Sequence, residues 1–185
     1  PNAPYEEAIA AFVGAILDPQ SGATFLADFL PFQREIAELG LINSLAQTVL
    51  RITAPGVPDT YQGTELWDFS LVDPDNRRPV DYACRAALLA ALPLVGAETP
   101  EHARALLDTW PDGRVKLHVT RAALHYRRAH PALFAEGRYA PVDAAGTRAA
   151  HVCAFLRAAD GDHALVVVPR LLARLALEAE GGDPA

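Results

Sequence analysis

The spacing of apolar residues over the first 53 positions is typical of α-helices. Residues 2–17 predict a helix that Asn2 caps and that carries a proline and two glutamates in its first turn. Residues 21–39 and 41–53 predict two further helices. Pro31 is expected to break or kink the earlier of these, and Gly40 to end it.

The pattern changes at residue 56. Residues 56–63 predict one short strand, because Pro55 and Pro58 exclude a helix and glycines bound the segment. Residues 64–79 predict a polar loop rich in Asp, Asn and Arg. A loop of this length within a compact protein is usually functional or disordered, and the apolar residues embedded in it argue against disorder.

Helical spacing returns afterwards and then gives way to alternation. Helices are predicted over residues 80–92, from a Thr99 cap onward, and from residue 112 or 113 to about 128. Strands are predicted over residues 138–142, 150–156 and 164–169, with a hairpin turn at residues 160–162. Residues 171–180 resemble a helix in composition.

These elements predict a mainly α chain with a small antiparallel β module. A single strand among helices cannot form its own sheet, so strand 56–63 is expected to join strands supplied from elsewhere. The chain also begins at Pro1 and contains no Met, which together suggest a fragment. Two parts are expected, residues 1–130 and residues 131–185.

Charge and composition narrow the partner classes. The net charge of −7 over 185 residues disfavours nucleic-acid binding and is compatible with a neutral ligand such as a sugar. No apolar run approaches ~20 residues, so no membrane span is expected. Cys84 and Cys153 form no metal-binding pattern and are expected to be buried free thiols, as suits a reducing cytoplasm.

One long motif carries a resemblance. Residues 55–68 read Pro-Gly-Val-Pro-Asp-Thr-Tyr-Gln-Gly-Thr-Glu-Leu-Trp-Asp, and the match continues to residue 81. This segment resembles the maltooligosyltrehalose synthase family within glycoside hydrolase family 13, the α-amylase superfamily. Residues 1–13, 112–117 and 130–139 extend the resemblance, which covers about residues 1–172.

The resemblance implies the C-terminal part of a (β/α)8 barrel followed by a truncated β-sandwich-like domain. It implies an intramolecular transglucosylation that converts the reducing-end α-1,4 bond of maltooligosaccharides to α,α-1,1, in the cytoplasm and without a cofactor or metal. The family's catalytic carboxylates lie on earlier strands, so the chain is expected to lack them and to be inactive without the rest of the barrel. The alternatives are a non-catalytic glucan-binding or assembly module and another superfamily enzyme, such as a hydrolase.

Barrel enzymes of this class bind substrate at the ends of strands and on the loops that follow. The resemblance therefore makes Tyr61, Gln62, Glu65 and Asp68 candidate sugar contacts, because amides and carboxylates bond hydroxyls and aromatic rings can stack on sugars. The alternative is that Tyr61 belongs to the core and Glu65 caps a turn. Glu65 and Asp68 are not expected to be a catalytic pair, since nothing in the sequence raises the pKa of either.

The loop at residues 73–79 supplies the remaining candidates. Asp75, Arg77 and Arg78 offer fixed donors and acceptors, and one arginine is expected to hold the loop while the other faces sugar. The sequence leaves open which arginine does which. Lys116 stands at a helix start, where the dipole disfavours a cation, and solvent exposure is expected to explain it.

Overall fold

A computed structural model of the chain describes residues 1–71, 73 and 75–179. The chain divides into two compact units, Pro1–Ile42 and Asn43–Ala185. The predicted boundary near residue 130 stays a prediction.

The first two helices are Ala3–Leu17 (α1) and Ala23–Thr53 (α2). Asn2 caps α1 as predicted, since its side chain accepts from the Tyr5 amide. The predicted break between residues 39 and 41 is wrong: α2 is one helix with Pro31 inside it. Gly40 keeps helical backbone instead of the left-handed conformation that would end the helix, and a proline inside a helix can be accommodated by a kink.

Four α-helices lie between the loop and the first strand. They are Tyr82–Ala90 (α3), Pro100–Asp108 (α4), Arg114–Ala129 (α5) and the short Pro131–Ala135 (α6). Thr99 caps α4 in a reciprocal capping box with His102. The helices predicted at 80–92, after Thr99 and at 112–128 are confirmed within one to three residues, whereas α6 was not predicted.

Three antiparallel strands make up the sheet of the described ranges: Arg138–Pro141 (β1), Val152–Ala159 (β2) and Asp162–Pro169 (β3), in the order β1-β2-β3. Helix Leu172–Ala179 (α7) follows. The predicted hairpin is confirmed, because Ala159 pairs with Asp162 across a two-residue turn. Asp160 and Gly161 both take positive φ there, 50° and 91°, as such a turn requires.

The strand predicted over residues 56–63 stays a prediction, because its expected partners are strands supplied from elsewhere. These residues are irregular up to residue 61 and then enter a turn, and no ladder forms. Extended backbone becomes a strand only when a neighbour pairs with its N–H and C=O groups, and no strand of the described chain does so here.

Two apolar clusters organise the unit that contains the loop. One comprises Leu92, Leu106, Val115 and Leu117, with Leu66, Trp67 and Trp110 packed against it. The other is a group of buried apolar residues on α6 and on the two strands that α6 contacts, and it includes Phe134, Phe155 and Val168.

One buried cation joins the elements of this second region. Arg157 on β2 is 1% exposed and donates to the carbonyls of Thr53, Phe134 and Gly137 at 3.1, 3.0 and 3.0 Å. These bonds tie the C-terminal end of α2 and the C-terminal end of α6 to the sheet.

The cysteines do not match the expectation. Both are free, but Cys84 is exposed and Cys153 is only partly buried. The described helices include none that is long and apolar enough to cross a membrane.

Candidate functional site

A pocket of about 140 Å³ lies between the loop that follows α2 and the start of α3. It collects polar groups from residues 62–85. Four of the predicted site residues line it, namely Gln62, Asp68, Asp75 and Arg78. Tyr61, Glu65 and Arg77 are not among the lining residues.

Arg85, on the first turns of α3, fixes the turn that carries Gln62 and Glu65. Its Nε donates to Glu65 Oε2 at 3.0 Å, and its Nη2 donates to the Gly63 carbonyl at 2.8 Å. A third bond runs from Nη1 to the Asp81 carbonyl at 3.1 Å. Glu65 is therefore held inside the protein by a guanidinium, which limits its availability to a ligand.

Gln62 and Tyr61 have different environments. The Tyr82 hydroxyl donates to Gln62 Oε1 at 3.2 Å, which orients the amide so that its NH₂ group is available to a ligand. The Tyr61 ring is 44% exposed, outside the pocket, and the Tyr61 carbonyl accepts from Thr64 Oγ1 at 2.7 Å. In this structure the backbone of Tyr61 supports the turn, and its ring is not buried in the core.

Trp67 forms one wall of the pocket and is fixed from behind. Its indole Nε1 donates to the Trp110 carbonyl at 2.6 Å. Gly113, with φ of 78°, precedes α5, and a Cβ there would lie 3.1 Å from Leu66 Cβ and 3.3 Å from the Trp67 amide nitrogen. Any larger residue would displace this segment, so the loop and the start of α5 fit together only through a glycine.

Lys116 is buried, contrary to the expectation that solvent exposure explains it. The side chain is on the first turn of α5, and the residue is 8% exposed. Its Nζ donates to the Leu66 carbonyl at 3.0 Å and lies 5.8 Å from the Trp67 ring centroid. Burial, first, and repulsion from Arg51, second, lower the pKa of this ammonium from its ordinary value.

Asp68 is the exposed acceptor of the pocket. The side-chain and backbone donors of Ser70 lower the pKa of the Asp68 carboxyl, with smaller contributions from Lys116 and Arg85. The Ser70 amide nitrogen lies 2.9 Å from Asp68 Oδ1. Asp68 is therefore ionised at neutral pH and can accept from hydroxyl groups.

The two adjacent arginines differ in their surroundings. Arg77 forms a forked pair with Asp73, with Nε at 3.1 Å from Oδ1 and Nη2 at 2.7 Å from Oδ2, outside the pocket. Arg78 pairs with Asp75 and lines the pocket. Asp75 also accepts from the Leu71 amide at 2.9 Å, so this carboxylate holds the loop while it anchors Arg78.

Sequence reasoning did not single out Arg85 or Tyr82. Arg85 is the only charged residue in the nine residues of α3, and a lone charge among apolar neighbours is a signal that could have been used. Tyr82 follows the Asp81 cap and gave no such signal. Among the described residues, no group of three or more His, Cys, Asp or Glu could hold a metal ion. The pocket instead offers an amide, a carboxylate and a guanidinium, a set suited to hydroxyl groups.

Sequence and structure comparisons both match this chain to maltooligosyl trehalose synthases. A putative maltooligosyl trehalose synthase of Mycobacterium tuberculosis (strain ATCC 25618 / H37Rv) is 42% identical over 175 residues, which are 95% of this chain and 19% of the relative. No family model matches the chain.

Solved structures agree with this result. A crystal structure of a maltooligosyl trehalose synthase matches 91% of the chain and 21% of its own length, with a TM-score of 0.74 at 30% identity. The Arthrobacter ramosus maltooligosyltrehalose synthase matches 91% of the chain and 19% of its own length, with a TM-score of 0.61 at 39% identity. The chain is thus homologous to one segment of the maltooligosyl trehalose synthases, a segment that spans about a fifth of their length.

Proposed function

We propose that this chain forms one wall of the glucan-binding pocket of a maltooligosyl trehalose synthase. The 42% identity over 175 residues carries the proposal, because those residues include most or all of the loop that builds the pocket. The reaction is the conversion of the reducing-end α-1,4 bond of a maltooligosaccharide to α,α-1,1, within cytoplasmic trehalose synthesis. Residues 1–130 belong to the end of a (β/α)8 barrel and residues 131–185 to a β-sandwich-like module of glycoside hydrolase family 13.

The chain supplies binding groups and not the acid–base chemistry. A retaining glycosidase mechanism needs a nucleophilic carboxylate and a second carboxyl group whose pKa is raised so that it can donate a proton. Glu65 is engaged by Arg85, and the pKa of Asp68 is lowered, which makes it a poor acid. The catalytic carboxylates therefore lie outside this chain in our proposal.

Within the pocket the residues have separate roles. Gln62 donates through its amide, Asp68 accepts from sugar hydroxyls, and Arg78, held by Asp75, donates to hydroxyl oxygens. Holding the released glucose while it turns and attacks again requires several fixed hydrogen bonds, and this set provides them. Arg77 and Glu65 hold the loop and do not contact sugar, and Tyr61 contacts sugar from beside the pocket.

A chimera tests the proposal directly. The homologous segment of an active relative is replaced by this chain, and trehalose-ended product is measured with maltopentaose as substrate. We expect a chimera with activity, and we expect Gln62→Ala within it to reduce turnover at least tenfold with little change in melting temperature. An inactive but folded chimera, or an unchanged rate in Gln62→Ala, would contradict the assignment.

A second candidate is a glucan-binding module without catalysis. It is favoured by one observation, that residues 62–85 of this chain alone build the pocket. The chain alone is expected to bind maltopentaose without consuming its reducing ends. Binding together with an inactive chimera would favour the module over the synthase.

A further inference from the structure

Lys116 is buried under conditions that disfavour a cation. It lies on the first turn of α5, where the helix dipole is positive, and only 8% of its surface is exposed. Arg51 repels the ammonium, whereas Asp68 and Glu65 attract it, and burial has the largest effect, which lowers its pKa. Lys116 takes part in none of the ion pairs formed among the described residues.

A lysine placed only for packing would be replaced without loss by an apolar side chain of similar length. Burying an unpaired charge is unfavourable unless specific bonds compensate it. Here the compensating contact is the Leu66 carbonyl, 3.0 Å from Nζ, with the Trp67 ring 5.8 Å away. Leu66 and Trp67 precede Asp68 in the sequence, and Trp67 and Asp68 line the pocket.

We propose that Lys116 is a positioning residue for the glucan pocket: its ammonium holds the Leu66 carbonyl and thereby sets the place of Trp67 and Asp68. The inference rests on the proposed function for its ligand, but the geometry it describes exists without one. The positive charge also favours the ionised form of Asp68, the form that accepts from hydroxyl groups.

The contact acts together with two others on the same segment. The Trp67 indole donates to the Trp110 carbonyl, and Gly113 permits α5 to approach Leu66. Lys116 is the member of this group that bonds the backbone of the loop itself, so its loss frees the loop backbone to move toward the pocket. A displacement of about 1 Å in a binding group is enough to reduce activity a hundredfold.

The test compares Lys116→Met, Lys116→Arg and Arg114→Met. Met keeps the length of the side chain and removes the ammonium. Arg114→Met is the matched control, because it removes a cation from the same helical turn. Arg114 does not line the pocket, and its Nε lies 2.7 Å from Asp112 Oδ2. All variants carry Trp110→Phe, which leaves Trp67 as the single tryptophan and preserves the backbone carbonyl that its indole bonds.

Two readouts separate positioning from simple stabilisation. Acrylamide quenching of Trp67 fluorescence is expected to rise at least twofold in Lys116→Met without sugar. The dissociation constant for maltopentaose is expected to rise at least tenfold, while the urea midpoint stays the same or increases because a desolvated charge has been removed. Arg114→Met is expected to change neither quenching nor affinity.

Unchanged quenching and unchanged affinity in Lys116→Met would overturn the inference. If the parent chain does not bind maltopentaose, the glucan-binding module is ruled out while the chimera still tests the proposed function, and the quenching result alone decides the positioning role. If Lys116→Met does not fold cooperatively, Lys116→Arg decides: its larger planar head should displace the Leu66 carbonyl and weaken binding, and parental affinity in that variant would overturn the inference.

Discussion

Replacing Arg85 by Met should destabilise the unit that contains the pocket far more than the loss of another loop arginine. Arg85 makes three bonds, to the Glu65 carboxylate and to the carbonyls of Gly63 and Asp81. The Arg85 and Glu65 side chains are only 19% and 28% exposed. Met keeps much of the apolar stem and removes the guanidinium, so the change isolates these bonds.

The expected magnitude follows from what is left unpaired. Removing one partner of a fully buried ion pair costs about 3–5 kcal/mol, because the other charge stays buried without compensation. Partial exposure of Glu65 allows water to solvate it, which reduces the cost, as exposed pairs contribute only about 0–1 kcal/mol. We therefore expect the free energy of unfolding to fall by roughly 2–3 kcal/mol.

Urea unfolding followed by tryptophan fluorescence measures this loss. Both tryptophans of the chain, Trp67 and Trp110, pack against the apolar cluster beside the loop, so the signal reports on this region. Arg77→Met is the matched control, since the Arg77–Asp73 pair is 69% and 56% exposed. That variant should lose at most about 1 kcal/mol.

A double-mutant cycle decides whether the Glu65 bond is responsible. Arg85→Met, Glu65→Gln and the double variant should give a coupling energy of about 1–2 kcal/mol, as for residues in direct contact. Coupling near zero, or equal losses in Arg85→Met and Arg77→Met, would refute the reasoning. The loop would then be held by its backbone and apolar contacts alone.

Three further outcomes are expected. Gly161→Ala should destabilise the chain by about 1–2 kcal/mol, because φ is 91° there, and an unchanged thermal midpoint would contradict this. Arg157→Met should lower the free energy of unfolding in urea by more than about 3 kcal/mol, because three buried carbonyls lose their donor. Arg138 is exposed, so Arg138→Met should lower it little, and equal losses in the two variants would contradict the role given to Arg157. The pKa of Lys116 is lowered in the folded chain, so between that pKa and about 10.4 the unfolded chain binds more protons than the folded chain. The free energy of unfolding should therefore rise with pH across this interval, and the rise should be smaller in Lys116→Met. Identical pH profiles of stability in the two proteins would refute this.

Local chemistry made the helix starts and the hairpin predictable. Asn2 and Thr99 cap helices through bonds between residues three apart, and residues 159–162 close a turn without help from distant parts. Such features depend on neighbours in sequence, which is what a sequence displays directly. Residues 56–63 are a different case, because a strand depends on a partner that the local pattern does not contain, and the strand predicted there stays a prediction.

The sequence indicated which segment carries the candidate site, but not which residues hold that segment in place. Gln62, Asp68, Asp75 and Arg78 were predicted as candidate sugar contacts; the structure places these four in the lining of one pocket, and their contact with sugar stays a prediction. The partners that orient this segment come from residues up to 50 positions away, as in the Lys116–Leu66 bond. Contacts at that separation leave no periodic signal in a sequence. The burial of Lys116 and the three hydrogen bonds of Arg85 could therefore be recognised only in the folded structure.

Geometry divides the side chains of residues 62–68 into two groups with different physical roles. Glu65 and the indole of Trp67 already have their hydrogen-bond partners within the protein, so changing them mainly removes stability. Gln62 and Asp68 keep unused donor or acceptor capacity toward the pocket, so changing them mainly removes affinity. Lys116 differs from both groups. Burial of its charge lowers the stability of the chain, whereas its bond to the Leu66 carbonyl positions Trp67 and Asp68 in the pocket. Substituting Lys116 is informative because stability and affinity should then change in opposite directions.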